Sequence, residues 1–341
     1  MIKEAMLYEK LDDGQIRCNL CAHRCAIKPG KRGVCGVREN KEGILYSLVY
    51  GTLIAENIDP IEKKPFFHVY PASLSYSIAT VGCNFSCEFC QNHDISQMPR
   101  ATRMISGEDF TPAEIVARAK KSGSKTIAYT YTEPTIYFEL AYDTAKIALE
   151  NGLKNVFVTN GFMTIEAIET IAPYLIAANV DLKSFRDEFY KQRCGARLNP
   201  VLENLKKMKE MGIWVEITTL LIPTLNDSEE ELQDIAQFIA GLGKETPWHI
   251  SRFHPQFKMQ NLPVTPLASL HQAAQIGKQA GLKYVYSGNV PGDKREHTTC
   301  YVCGREIVKR YGYDTEVIGL KGSQCKFCGA ELNFINKVCN F

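Results

Sequence analysis

The chain has 341 residues, an ordinary globular composition with 45% hydrophobic residues, and a formal net charge of +2. That balance excludes the strongly basic footprint of a nucleic-acid binder and a polybasic membrane anchor, and no apolar run is long enough to span a bilayer. The opening "MIKEAMLYEKLDDGQ" mixes acids with bases and lacks an apolar signal core, which predicts a cytoplasmic protein whose thiols stay reduced. Thirteen cysteines in that compartment point to metal or redox chemistry and not to cross-links.

Residues 1–71 carry the first of three cysteine groups, Cys18, Cys21, Cys25 and Cys35, within "CNLCAHRCAIKPGKRGVCG". Spacings of two, three and nine suit either zinc or an auxiliary iron–sulfur cluster, and His23 could replace a cysteine. From residue 72 the pattern becomes regular. "SLSYSIATVG" predicts a strand, "TPAEIVARAKKSG" a helix capped by Thr111, and "TIAYTYT" a strand. A helix over "IYFELAYDTAKIALENG" leads to a strand at "NVFVTNG", and one over "TIEAIETIAPYL" to a strand at "NVDLKSF". "PVLENLKKMKEMG", "WVEITTLLIP", "SEEELQDIAQFIAGLG", "WHISRF", "LASLHQAAQIGKQAG" and "YVYSGNV" continue the alternation, with several helices stopping at Gly.

Apolar strands alternating with helices imply a parallel α/β sheet covered on both faces. Without a G-x-G-x-x-G turn, the expected fold is a partial (β/α)6 TIM-like barrel with its chemistry at the C-terminal strand ends. Three parts follow: a Cys-rich module over 1–71, the barrel over 72–297, and a C-terminal module over 298–341. The last contains Cys300, Cys303, Cys325 and Cys328 as two CxxC knuckles, each followed by Gly, which reads as a zinc ribbon or a rubredoxin-like iron site. Its role is expected to be structural, with zinc preferred, since so small a module cannot fold on apolar burial alone. Cys194 and Cys339 stand outside the groups.

The remaining group lies in "GCNFSCEFCQN", directly after the first barrel strand: Cys83, three residues, Cys87, two residues, Cys90. Structural zinc wants four closed ligands, whereas a catalytic metal keeps one position open. Three thiolates on one loop can hold three irons of a cubane and leave the fourth for something that is not protein.

"CNFSCEFC" at a strand exit resembles the radical S-adenosylmethionine (SAM) enzymes. The resemblance implies a [4Fe-4S] cluster on Cys83, Cys87 and Cys90, SAM chelated to the fourth iron, and reductive cleavage to a 5′-deoxyadenosyl radical that abstracts hydrogen. "YTYTEPT" occupies the position of the family's Gly-Gly-Glu motif with both glycines absent, so Thr132 and Glu133 are expected near the SAM amino group; a Glu capping the next helix is the structural alternative. "VTNGF" and "VDLKSF" resemble segments of glycyl-radical-enzyme activating enzymes, which carries Asn160, Asp181 and Lys183 over to the SAM ribose and carboxylate. Asp181 and Lys183 at i and i+2 share a strand face, so both should point into the barrel at a ligand and not serve as a buried structural ion pair. Glu216 in "EITTLLIPTLND" and His254 in "RFHPQ" are expected along the SAM as well, the His being a common structural residue in its own right.

The whole combination is similar to the radical SAM enzyme of the AmmeMemoRadiSam system, a relative of the pyruvate formate-lyase activating enzyme. That implies a protein or peptide substrate, association with AMMECR1-type and Memo-type proteins, and an external one-electron reductant such as flavodoxin or ferredoxin. The rivals are an activating enzyme that sets a radical on a partner's glycine, and an iron–sulfur or metal-binding scaffold that never turns SAM over.

Overall fold

The computed structural model describes residues 1–336; Cys339 and the end of the C-terminal module lie outside them. Eight strands form one sheet in plain sequence order: β1 (Ala55–Pro60), β2 (Leu74–Ala79), β3 (Thr126–Tyr129), β4 (Lys154–Thr159), β5 (Ala177–Asp181), β6 (Trp214–Leu221), β7 (Trp248–Arg252) and β8 (Val285–Gly288). β2 through β8 are parallel and β1 pairs antiparallel with β2. The sheet is open, because β1 and β8 are its two edges. Six helices occupy the crossovers: α1 (Pro112–Lys121), α2 (Phe138–Glu150), α3 (Ile165–Ile171), α4 (Asn199–Glu210), α5 (Glu229–Leu242) and α6 (Leu267–Gln279). The result is six strand–helix units and a closing strand, as the alternation predicted.

Alternation along the strands decides which residues meet the helices. Tyr76, Ile78, Ile127, Tyr129, Phe157, Ala178, Val215, Ile217, Trp248 and Ile250 enter the main core with the helices. The opposite face carries Ser77, Ala128, Val156, Ala177, Asn179 and Glu216, all buried, and Ala128, Val156 and Ala177 pack there with Ile61, Phe66 and Val69. Thr111 caps α1 in a reciprocal box with Glu114, a device worth about 1 kcal/mol.

The boundary expected at residue 72 cuts through this sheet. Residues 55–60 read as polar and weakly periodic, yet β1 gains its place by pairing along the whole of β2, a non-local contact that sequence pattern does not carry. Residues 61–70 then cross the concave side at its N-terminal end, where Asn179 Nδ2 donates to Pro65 O at 2.8 Å. The earlier N-terminal residues form small antiparallel sheets that dock on α2 through a fully buried pair: Arg38 donates to both oxygens of Glu139, at 2.9 and 3.2 Å.

The C-terminal module starts with β9 (Thr298–Thr299), β10 (Glu306–Tyr311) and β11 (Asp314–Val317). It packs against the 61–70 crossing: Val69 bridges Ile335, and Arg310 Nη2 donates to Phe67 O at 2.9 Å. Tyr284 Oη, just before β8, donates to Leu332 O at 2.8 Å. The module therefore caps the N-terminal end of the barrel, away from the strand exits.

Candidate active site

The loop leaving β2 is built around Gly82, whose φ of +102° and crowded position exclude a side chain: a Cβ would meet Val37 Cγ1 at 2.7 Å and Cys35 O at 3.2 Å. Cys83, Cys87 and Cys90 follow on one turn, where Cys90 N donates to Cys87 O at 3.3 Å. Cys83 Sγ accepts from Phe85 N at 3.4 Å, and Cys90 Sγ lies 3.3 Å from Ser96 Oγ. Burial pushes the Cys83 and Cys90 thiols up, with the Glu133 charge adding to the effect at Cys83. Cys87 is instead lowered, first by a hydrogen bond from Cys194 and then by the Lys183 charge acting against burial.

Cys194 is the residue that sequence reasoning passed over. It ends a turn of π-helix (Tyr190–Cys194), is fully buried, and its carbonyl accepts Ser86 N at 2.8 Å. Nothing local marks it, since its neighbours on the Cys87 loop lie more than a hundred residues away in the chain.

Asn160, expected at the SAM ribose and carboxylate, lies against the cysteine loop: its Nδ2 donates to Asn84 Oδ1 at 2.7 Å and approaches Cys83 Sγ at 3.9 Å. Glu133 stands behind it, fully buried. Its carboxylate accepts Asn160 N (2.8 Å), Thr159 Oγ1 (2.7 Å), Thr135 Oγ1 (2.5 Å) and Thr135 N (3.1 Å). Glu133 is thus the N-cap of the next helical turn as well as the anchor of the Asn160 loop. Thr132 Oγ1 donates to Thr80 O at 2.8 Å, tying the exits of β2 and β3 together. Tyr131, beside them, has φ +62°, a left-handed conformation that a Gly takes without strain.

Asp181 ends β5, and the chain turns at once, with Leu182 N donating to Val180 O. That turn brings Lys183 Nζ back to Asp181 Oδ2 at 3.0 Å, so the two do form an ion pair, contrary to the strand-face expectation. Lys183 is largely buried while Asp181 is about one-third exposed at the mouth. Burial opposes the lysine's charge, yet Asp181, Cys87 and Cys194 hold it protonated well above the ordinary lysine range. Its backbone is fixed from both sides, N donating to Tyr190 Oη and O accepting Asn226 Nδ2.

Glu216 does not belong to this site. It is the third residue of β6, five positions and roughly 16 Å below the strand exit. Its oxygens accept Phe67 N (3.0 Å), His68 N (2.9 Å) and Trp214 Nε1 (3.2 Å), and His249 Nε2 lies at 2.7 Å. A fully buried carboxylate needs such partners, and the 61–70 crossing supplies them. His254 is exposed, two residues beyond β7 on the rim where the cysteines lie.

A cluster on Cys83, Cys87 and Cys90 fits the donor set. The three thiols lie on one loop, and the Lys183 charge acts on Cys87. Asn84 Nδ2 is a buried donor lacking a partner beside Cys83, which a cluster sulfide or thiolate would satisfy.

The C-terminal quartet has a different geometry. Its four sulfurs lie within 4.8 Å of one another, with Cys300–Cys328 at 3.6 Å and Cys303–Cys325 at 3.8 Å. Four thiolates around one tetrahedral zinc stand about 3.8 Å apart. Each knuckle turns on a left-handed Gly, Gly304 donating to Cys300 O and Gly329 to Cys325 O.

Residues 77–239 match the Radical SAM superfamily. An uncharacterized protein of Methanocaldococcus jannaschii is 46% identical over 337 residues, covering 98% of this chain and all of that protein. The pyruvate formate-lyase-activating enzyme of Clostridium pasteurianum is 24% identical over 168 residues, 47% of this chain and 67% of that enzyme. A radical SAM methyltransferase from Sphaerobacter thermophilus shares the fold, with a TM-score of 0.51 and 16% identity over 84% of this chain and 76% of its own.

Proposed function

Because the chain belongs to the radical SAM superfamily and is related to the pyruvate formate-lyase activating enzymes, we propose that it cleaves SAM to abstract hydrogen from a protein or peptide. The observation that carries this reading is that the three-thiol loop, the Asn160 loop and the Asp181–Lys183 pair lie together at the exits of β2, β4 and β5. When bound, the [4Fe-4S] cluster and SAM supply one-electron cleavage to methionine and a 5′-deoxyadenosyl radical.

The chain's own residues do the rest. Cys83, Cys87 and Cys90 hold the cluster. Lys183 meets the SAM carboxylate with a charge-assisted hydrogen bond, at a site where burial strengthens the contact. Asp181, exposed on one side, faces the ribose. Glu133 and Thr132 act by holding the Asn160 loop and the β2 exit, and His254 stands at the rim where substrate arrives. The C-terminal quartet binds zinc as a structural ion. The subgroup is that of the AmmeMemoRadiSam system, working in the cytoplasm with AMMECR1-type and Memo-type partners and a flavodoxin or ferredoxin as donor.

Anaerobically reconstituted, reduced protein should form 5′-deoxyadenosine from SAM, and the Cys83→Ala, Cys87→Ala, Cys90→Ala variant should form none. Equal yields from the two would sink the reading. The kinship to activating enzymes supports a second reading, a radical set on a partner's glycine; a persistent glycyl radical signal in a co-purified partner would favour it. Turnover by either route eliminates the scaffold that never uses SAM.

A further inference from the structure

We propose that the free edge of β1 docks the substrate, which binds as an extended peptide segment adding one more strand to the sheet beside the site. This rests on the reading above of a protein or peptide substrate, and says how that substrate is held.

The first observation is where the hydrogen-bonding groups of β1 point. In an antiparallel pair, alternate residues turn their N–H and C=O toward the partner strand, and those between turn them away. Ile61 N donates to Ser73 O at one end of the β1–β2 pair and Ile54 N to Ala79 O at the other, both at 2.9 Å. That phase directs the main chain of Ala55, Asn57 and Asp59 at β2 and leaves Glu56 and Ile58 facing outward. Pro60, the next outward residue, lacks an N–H and ends the series. Among the described residues, no backbone group pairs with the outward N–H or C=O of Glu56 or Ile58.

The second is that this edge is uncovered. The other edge strand, β8, has the helical turn Lys294–Glu296 packed against it. On β1, Ile58 is 53% exposed and Asn57 is exposed beside it. Folds usually blunt or cover such an edge because it is a template for another strand.

The third is position and rigidity. β1 runs against β2, so Ala55 lies opposite Ala79, just before the cysteine loop. Asp59 is buried and held by Lys64 Nζ at 2.6 Å and Lys63 Nζ at 2.8 Å. Tyr131 Oη donates to the same carboxylate, and Tyr131 O accepts Asn92 Nδ2 at 2.8 Å from the end of the cysteine loop. Glu56 is fixed on the helix side by Arg118 at 3.1 Å. The edge is a rigid template tied through one tyrosine to the loop that carries the thiols.

These features define the occupant. Main-chain donors and acceptors at a two-residue repeat are matched by another extended main chain, and not by a helix. Side chains of an added strand alternate between the two faces. One set lies over Ile58 and calls for an apolar residue. The other projects beside Asn57 into the concave side, toward Tyr131. The peptide therefore carries an apolar residue next to the one presented to the site.

The test selects a displayed library of random linear peptides on the full chain, anaerobically reconstituted with iron and sulfide and saturated with SAM, with counter-selection on Ile58→Pro. Proline there removes an outward N–H and spares the β1–β2 ladder. The selected peptides should bind wild type at least about tenfold more tightly than Ile58→Pro, as expected when a hydrogen bond is lost and its acceptor stranded. Ile58→Ala, which keeps the N–H, should fall between. N-methylation scanned along one such peptide should abolish binding at every second residue only, a readout on the wild-type protein that misfolding of a variant cannot imitate. No peptide that distinguishes the two proteins, or a methylation profile without the two-residue repeat, overturns the proposal. Without peptide, both proteins should form 5′-deoxyadenosine equally. Absence of it in both overturns the radical SAM reading, whereas cleavage in both with no discriminating peptide overturns the docking edge alone.

Discussion

Lys183 shows how little a side chain's chemistry depends on its own segment. Held by Tyr190 and Asn226 and charged by its neighbours, it presents a fixed ammonium beside the cysteine loop. Lys183→Met should weaken SAM binding roughly ten- to hundred-fold, the worth of one charge-assisted contact, while iron incorporation stays intact. Equilibrium binding of SAM to the reconstituted variant measures the first and iron analysis the second; unchanged affinity would remove Lys183 from the pocket. Glu133 behaves differently, because its carboxylate is filled by protein donors. In Glu133→Gln one oxygen becomes a donor facing Asn160 N or the Thr135 and Thr159 hydroxyls, so the variant should lose about 2 kcal/mol of stability and incorporate less iron. A denaturant midpoint matching the wild type would mean that Glu133 does not hold that loop.

At the scale of elements, the C-terminal module and the 61–70 crossing depend on each other. Arg310 is fully buried, donates to Phe67 O, Thr298 Oγ1 (2.8 Å) and Glu296 O (3.1 Å), and lies over the Phe67 ring. Glu62, also buried, faces it at 3.9 Å. Arg310→Met should therefore cost about 3–5 kcal/mol by leaving acceptors and a carboxylate without their cation, and hydrogen exchange should rise first at Phe67–Tyr70. Protection there equal to wild type would show that the module docks by its apolar contacts alone. The C-terminal cysteine quartet belongs to the same module, whose β10 carries Arg310.

For the molecule as a whole, acid should act on the barrel's N-terminal end. Burial pushes His68 down to about 4, and it stays neutral beside Tyr286. Its folded pKa is depressed, so its contribution is present above the unfolded value near 6.5 and is lost as pH falls toward 4. Between pH 7 and pH 5 this amounts to about 2 kcal/mol. Glu216, held below the usual carboxylate range against burial by His249, adds a further loss at lower pH. Urea midpoints at pH 7 and 5 should differ accordingly, and His68→Phe should flatten the difference; an equal slope in that variant would assign it to other groups.

What the sequence determined alone is what repeats or clusters locally. The strand–helix alternation, the Thr111 cap, the three-thiol turn and the paired C-terminal knuckles all rest on contacts within a few residues, and each is visible in the letters. Tertiary structure decided the rest, because it concerns partners distant in the chain. Glu216 read as a pocket residue until the 61–70 crossing brought two backbone donors to it. Lys183 turned back to Asp181 because the strand ended at Asp181, four residues short of the end of the 179–185 stretch read as strand. Polar residues 55–60 became a sheet edge only by pairing with β2, and Cys194 reached Cys87 only when the exits of β2 and β5 came together. Burial and charge are set by the whole fold, and those terms decide which of several chemically able side chains stands in the site.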